Sequence, residues 1–369
     1  MFIQLFSQSK TFLLPLMAVS FGIVSCQPQT EPQATSPGSS PVAASNGGTV
    51  TLVGAGASFP APLYQTWAAK YNQQNPNVRI SYQSIGSGAG IEQFTQGTVD
   101  FAASDVAITK EQAAKVERGA IALPLTAGSI VLAYNLSNVQ QQIKLPRETY
   151  CDIFLGEVEN WNAPAIAKAN PGVNLPNQPI RVVHRSDGSG TTAVFTQHLS
   201  AICPEWKQKV GAGKTVDWPV GIGAKGNEGV TAQIQQTQGA IGYVEYGYAA
   251  QNKLSMAALE NQSGNFIAPT PESAARTLDA VELPADLITF INDPAGEQSY
   301  PIVTYTWLLT YDQYQDPNKA QAIEDFVGWA LTEGQKYSAE LGYIPLPERV
   351  VAKVKPVAEQ IAAAEKPGG

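Results

Sequence analysis

The chain has 369 residues, 44% apolar and 15% charged, a balance that suits a globular body of about two domains. Its formal net charge of −8 argues against nucleic acid or an anionic membrane surface as partner. The two histidines, His184 and His198, stand apart and no CxxC occurs, so neither a metal centre nor a cofactor is expected.

Residues 1–25 read as an export signal. Lys10 precedes an apolar run, residues 12–24, too short to stay in a membrane as a spanning helix. The run ends at Ile23-Val24-Ser25-Cys26, which resembles a bacterial lipobox. Cys26 would then carry the lipid and tether an exported protein to the membrane; the alternative is a plain secretory signal with an incidental cysteine. Residues 26–48 are rich in Pro, Ser, Gln and Gly and offer little to bury. They read as a flexible linker with a reach on the order of 25 Å. With Cys26 acylated, Cys151 and Cys203 remain. An even count in an oxidising compartment predicts one bridge, the alternative being two buried free thiols.

Residues 49–53 form a strand that ends in Gly54-Ala-Gly-Ala-Ser58-Phe59-Pro60, and a helix follows over 62–71 with Leu63, Trp67 and Tyr71 at helical spacing. A second strand, 78–83, leads through Ile85-Gly-Ser87-Gly-Ala-Gly90 into a helix over 91–96. A third, 99–104, ends in Asp105, with Thr109 as the N-cap of the next helix. Residues 129–134 read as a strand able to cross into a second domain, and 150–155 as a helix. A strand over 180–183 breaks at Arg185-Ser-Asp187-Gly-Ser189-Gly190-Thr191, where a helix opens and continues to 206. Strands over 239–246 and 301–309 and helices over 320–331 and 348–364 complete the body. Strands alternating with helices predict parallel sheet.

Ligands in such sheets gather at the carboxyl ends of strands, where Ser58, Ser87, Asp105 and the Arg185 turn all fall. A strand giving way to a glycine-rich turn and a helix holds anions well, because the first helical N–H groups lack partners and the dipole there is positive. Ser189 and Thr191 add hydroxyls, and Arg185 adds a guanidinium that Asp187 could hold flat. Any one of these hydroxyls, or Asp105, could instead be an ordinary helix cap. Other matches fail. Gly221-Ile-Gly-Ala-Lys-Gly226 fits GxGxxG, but Pro219-Val220 is too short for the strand that fingerprint needs, so it reads as a loop. Gly213-Lys-Thr215 lacks the earlier P-loop glycine, its place being taken by Gln208, and GxSxG is absent.

Taken together, six segments resemble the periplasmic phosphate-binding protein family of high-affinity phosphate ABC transporters. They are residues 54–62, 85–88, 99–105 and 185–191, then 218–223 with Lys225-Gly-Asn227, and 239–246. They span roughly residues 50–347. The resemblance implies a two-lobed α/β fold of the type II binding-protein kind, closing on one phosphate through a multi-strand hinge. It implies one lobe of residues 49–126 plus 300–369 and another of 127–299. It also implies that Ser58, Phe59, Ser87, Asp105, Arg185, Ser189, Gly190 and Thr191 hold the anion, with Asp187 orienting Arg185. The expectation is thus a monomeric, non-enzymatic, lipid-anchored receptor in the periplasm or cell envelope that delivers phosphate to a permease. A phosphate sensor or scavenger without docking, or a phosphohydrolase, are the alternatives.

Overall fold

The computed structural model describes residues 48–363; the export signal, Cys26 and nearly all of the linker lie outside them. The first half of the framework comprises β1 (Val50–Gly56), α1 (Ala61–Gln74), β2 (Val78–Ser84), α2 (Ser87–Thr95), β3 (Phe101–Ser104), β4 (Ile121–Tyr134) and α3 (Arg147–Leu155). It continues through β5 (Arg181–Arg185), α4 (Gly190–Ile202), α5 (Pro204–Lys209), β6 (Ile222–Ala224), α6 (Gly226–Gln236) and β7 (Ala240–Glu245). The last framework strand and helices are β8 (Val303–Thr310), α7 (Pro317–Ala330) and α8 (Glu348–Ala358).

One nine-stranded sheet runs in the order β2-β1-β3-β8-β4-β7-β5-β6, with a short segment at Ser255–Met256 also pairing β4. The parallel sheet expected from the alternation is present: β1 pairs parallel with β2 and β3, and β5 with β6 and β7. The long strand β4 joins two half-sheets. Ile121 to Ser129 pair antiparallel with β8, and Ile130 to Tyr134 pair antiparallel with β7. β4 arrives in the second half-sheet running against β7, and β8 runs against β3 in the first. β4 begins earlier than residue 129 because it passes straight through Pro124. Proline has no N–H to give a ladder, and the register slips there, between Thr306 and Trp307 on β8.

Each half-sheet has its own aromatic packing. Tyr64, Trp67, Tyr82 and Phe101 meet on one side, and Phe154, Phe195, Trp218 and Tyr243 on the other. Further predictions move. The helix from Thr191 does not reach Trp206: Pro204 cannot donate to it, so α4 stops and α5 starts afresh with proline in its first turn. The segment 221–226 is not a loop, since Ile222–Ala224 adds to the edge of the sheet beside β5 and Gly226 opens α6. The final helix ends at Ala358 rather than 364. Cys151 on α3 and Cys203 between α4 and α5 form the expected bridge, their Cα atoms 6.5 Å apart.

Candidate anion-binding site

The turns after β1, β2, β3 and β5 meet between the two half-sheets. Ser87 at the start of α2 accepts from the Gly190 N–H at the start of α4, Oγ to N 3.1 Å. Gly88 N donates to Gly188 O at 2.8 Å. Thr191 Oγ1 donates to Asp105 Oδ2 at 3.0 Å. Ser58 Oγ accepts from the Asn227 N–H at 3.0 Å. Four helix N-termini therefore converge, those of α1, α2, α4 and α6, each with a positive dipole end and first N–H groups that have no carbonyl of their own helix to bond. In a chain of net charge −8 this gathers local positive potential without surface cations. Gly190 has to be glycine, since a Cβ there would lie 2.6 Å from Ser87 Oγ and 2.8 Å from Asp105 Cβ.

Arg185 supplies the cation. It is 4% exposed, at the end of β5, where its backbone N–H donates to the Tyr243 hydroxyl at 3.1 Å. Its Nε and Nη2 donate to the two Asp187 oxygens at 2.7 and 2.5 Å, a flat, two-pronged pair. Asp187 Oδ1 also accepts from Gly226 N at 3.1 Å, so the first turn of α6 helps hold it. Nη1 is left buried with no protein partner among the described residues. A buried, unpartnered guanidinium N–H costs free energy, and an oxyanion in the cleft would satisfy it. Burial opposes the charge on Arg185, but the Asp187 hydrogen bonds and charge outweigh it and keep the guanidinium protonated. Burial likewise pushes the Asp187 carboxyl up, yet Arg185 and the Gly226 N–H hold it below its usual range.

Asp105 is 1% exposed, with Thr306 Oγ1 donating to Oδ1 at 3.0 Å and Thr191 to Oδ2. It caps no helix: Thr109 does that, in a capping box with Gln112. Burial lifts the Asp105 pKa to about 6, against the hydrogen bonds from Thr191 and Thr306 and the charge of Arg185. Ser189 caps α4 by accepting from Thr192 N at 3.0 Å, which leaves its proton free to donate elsewhere. Phe59 is buried, its carbonyl accepting from the Tyr343 hydroxyl at 2.7 Å.

Ser58, Phe59, Ser87, Asp105, Arg185, Asp187, Ser189, Gly190 and Thr191 thus occupy one region, whereas the Cys151–Cys203 bridge sits at the far end of α4. Sequence reasoning assigned no role to Asn227, Tyr243 or Thr306, all buried and all bonded to these residues. The sequence signals were the segments Lys225-Gly-Asn227 and 239–246, the second of which holds Tyr243. A surface groove lined by Ile153, Arg181, Val182 and Ile222 lies at the other end of β5 and shares no residue with this cluster.

Two half-sheets, one long strand shared by both and polar residues collected between them define a two-lobed binding protein, and residues 38–333 match the PBP superfamily domain. The chain is 44% identical to the phosphate-binding protein PstS of Pasteurella multocida, over 83% of this chain and 89% of that one. It is 40% identical to the protein of the same name from Xylella fastidiosa strain Temecula1, over 93% and 96%. The fold matches that of a high affinity periplasmic phosphate-binding protein, PfluDING, bound with phosphate, at a TM-score of 0.71 and 21% identity, covering 83% and 93%. The chain belongs to the PstS family of phosphate-binding proteins.

Proposed function

We propose that the protein binds inorganic phosphate between its lobes and hands it to the permease of a phosphate ABC importer. The observation that carries this reading is the buried, unpartnered Arg185 Nη1, on the turn that also carries Ser189 and the N-terminus of α4. Arg185 neutralises the anion, Ser58, Ser87, Ser189 and Thr191 and the N–H groups near Phe59 and Gly190 surround it, and Asp187 keeps the guanidinium flat. Asp105 is the one acceptor, suited to an anion that still carries a proton. The lobes are residues 49–126 with 300–369, and 127–299, so the hinge lies where β4 leaves β8 for β7.

No reaction is proposed. His198 is committed to the Tyr150 hydroxyl at 2.7 Å, and His184 to the Arg185 carbonyl and the Trp218 ring, so neither serves as a base at the site. The names of the relatives, which are phosphate-binding proteins, agree with this. We place the protein in the periplasm as a monomer, anchored through Cys26. Calorimetry with phosphate, arsenate and sulfate tests the assignment. Phosphate and arsenate should bind in one-to-one ratio with no product formed, and sulfate should not compete. Absence of phosphate binding would overturn the reading.

A further inference from the structure

We propose that Asn227 is a positioning residue that fixes which way the hydroxyls of Ser58 and Thr191 point their protons, and so makes Ser58 a donor to the bound anion. This rests on the phosphate-binding reading above. Asn227 is fully buried at the start of α6. Its backbone N–H and its Nδ2 both donate to Ser58 Oγ, at 3.0 and 2.9 Å, and Nδ2 also donates to Thr191 Oγ1 at 3.2 Å.

The orientation of the amide follows from its third contact. The Glu245 backbone N–H lies 2.9 Å from Oδ1. A backbone N–H can only donate, so the atom facing it is the carbonyl oxygen, and the NH2 must face Ser58 and Thr191. Glu245 pairs with Ile130 at the place where β4 passes from one half-sheet to the other. The hinge backbone therefore sets the amide, and the amide sets the hydroxyls.

A serine hydroxyl has one proton and two acceptor lone pairs. Both lone pairs of Ser58 are filled by Asn227, so the proton has to leave in the remaining direction, toward the cleft. Thr191 Oγ1, accepting from Asn227, must in turn give its proton to Asp105. Without the Asn227 side chain, its backbone N–H would hold only one Ser58 lone pair, and the hydroxyl could rotate to present the other to an anion.

The test is a double-mutant cycle read by phosphate calorimetry, with melting curves as the control for folding. Asn227→Leu alone should raise the Kd about 30-fold, and Ser58→Ala alone about 10-fold, by loss of one or two buried donors. If Asn227 acts through Ser58, the double variant should fall close to the worse single one, well short of the roughly 300-fold product. A full product overturns the proposal, because Asn227 would then act independently of Ser58. Should Asn227→Leu fail to fold, Asn227→Asp, of the same shape, is read in its place. Its carboxylate would draw the Ser58 proton away from the cleft. The ratio of its Kd to that of the unaltered protein should then be about 100-fold at pH 8 and shrink several-fold at pH 5, as the carboxyl regains a proton to donate. A ratio near one at both values overturns the proposal while leaving phosphate binding intact. Failure of the unaltered protein to bind phosphate would instead remove the functional reading itself.

Discussion

Arg185 and Asp105 carry opposite charges into one buried cleft, and their surroundings give them different tasks. The guanidinium is fixed by Asp187 on two of its nitrogens and reaches the site with the third. Replacing Arg185 with alanine removes the one buried Lys or Arg among the described residues and leaves Asp187 without its partner. Phosphate affinity should drop by about 1,000-fold or more, against about 10-fold for Ser87→Ala, where a single neutral donor is lost. Calorimetry on the two variants checks this, and equal losses would show that Arg185 is not the cation of the site. Asp105 should govern selection. Above its pKa of about 6 it is an acceptor only, matched by the proton phosphate keeps near neutral pH and repelled by sulfate, which has none. Below about 6 it gains a proton and can donate. Sulfate competition should therefore grow as pH falls through about 6, and in Asp105→Asn it should be strong at every pH; discrimination unchanged in that variant would take the role from Asp105. The same raised pKa has a cost in the ligand-free protein. The stability it contributes is full below about 4, the ordinary value for Asp, and is lost as pH rises through about 6. That these residues stand at the ends of strands was legible in the sequence, because each lies in a short turn whose chemistry is local. Asn227 was not, because its partner Ser58 is 169 positions away and only the fold brings them together.

Among the elements, the strand-turn-helix units were readable and their ends were not. Glycine-rich turns after β-branched runs mark where β1, β2 and β5 stop, and the spacing of Leu63, Trp67 and Tyr71 marks the buried face of α1. The short strand Ile222–Ala224 escaped notice because three residues carry no period, and it exists through pairing with β5. Neighbouring β-structure decided it, as it did the extension of β4 through Pro124. The Cys151–Cys203 bridge belongs to this scale. It ties α3 to the junction of α4 and α5, and the 13 residues of α4 separate it from Gly190 by about 20 Å at 1.5 Å per residue. It closes a loop with a sequence separation of 52, so its removal should cost about 2–5 kcal/mol. Replacing both cysteines with alanine should lower the melting temperature by about 3–8 °C while phosphate affinity stays within about two-fold. A large loss of affinity with an unchanged melting temperature would place the bridge in the binding machinery instead.

For the whole molecule, the burial of every candidate anion ligand means that phosphate cannot enter or leave this arrangement unless the lobes part. The strands available to flex are β4 and the entry to β8, which meet where Ile130 N donates to Ile302 O at 2.9 Å. Opening there must break contacts that cross the cleft, among them Gly88 to Gly188, Ser87 to Gly190, Asp105 to Thr191, Ser58 to Asn227 and Ser58 to Tyr248. Without ligand these are a few neutral or singly charged hydrogen bonds around an unsatisfied Arg185 Nη1, so an open form should be well populated. Phosphate contacts both lobes at once and shifts the balance toward closure by its extra affinity for the closed form. Small-angle scattering should show a radius of gyration near 20 Å for the phosphate-bound body, the value for a compact domain of this length, and about 1 Å more without phosphate. Release should then be limited by opening, which puts the glycine contact under test. A side chain at Gly88 would bring its Cβ to 3.2 Å from the Gly188 Cα and carbonyl oxygen, closer than neighbouring backbones settle. Gly88→Val should therefore hold the lobes slightly apart, raising the phosphate dissociation rate about 10-fold with the association rate nearly unchanged. Stopped-flow measurement with the intrinsic tryptophans as reporter separates the two rates. An unchanged dissociation rate, together with identical scattering curves with and without phosphate, would mean that the lobes do not move and that phosphate reaches Arg185 by another route.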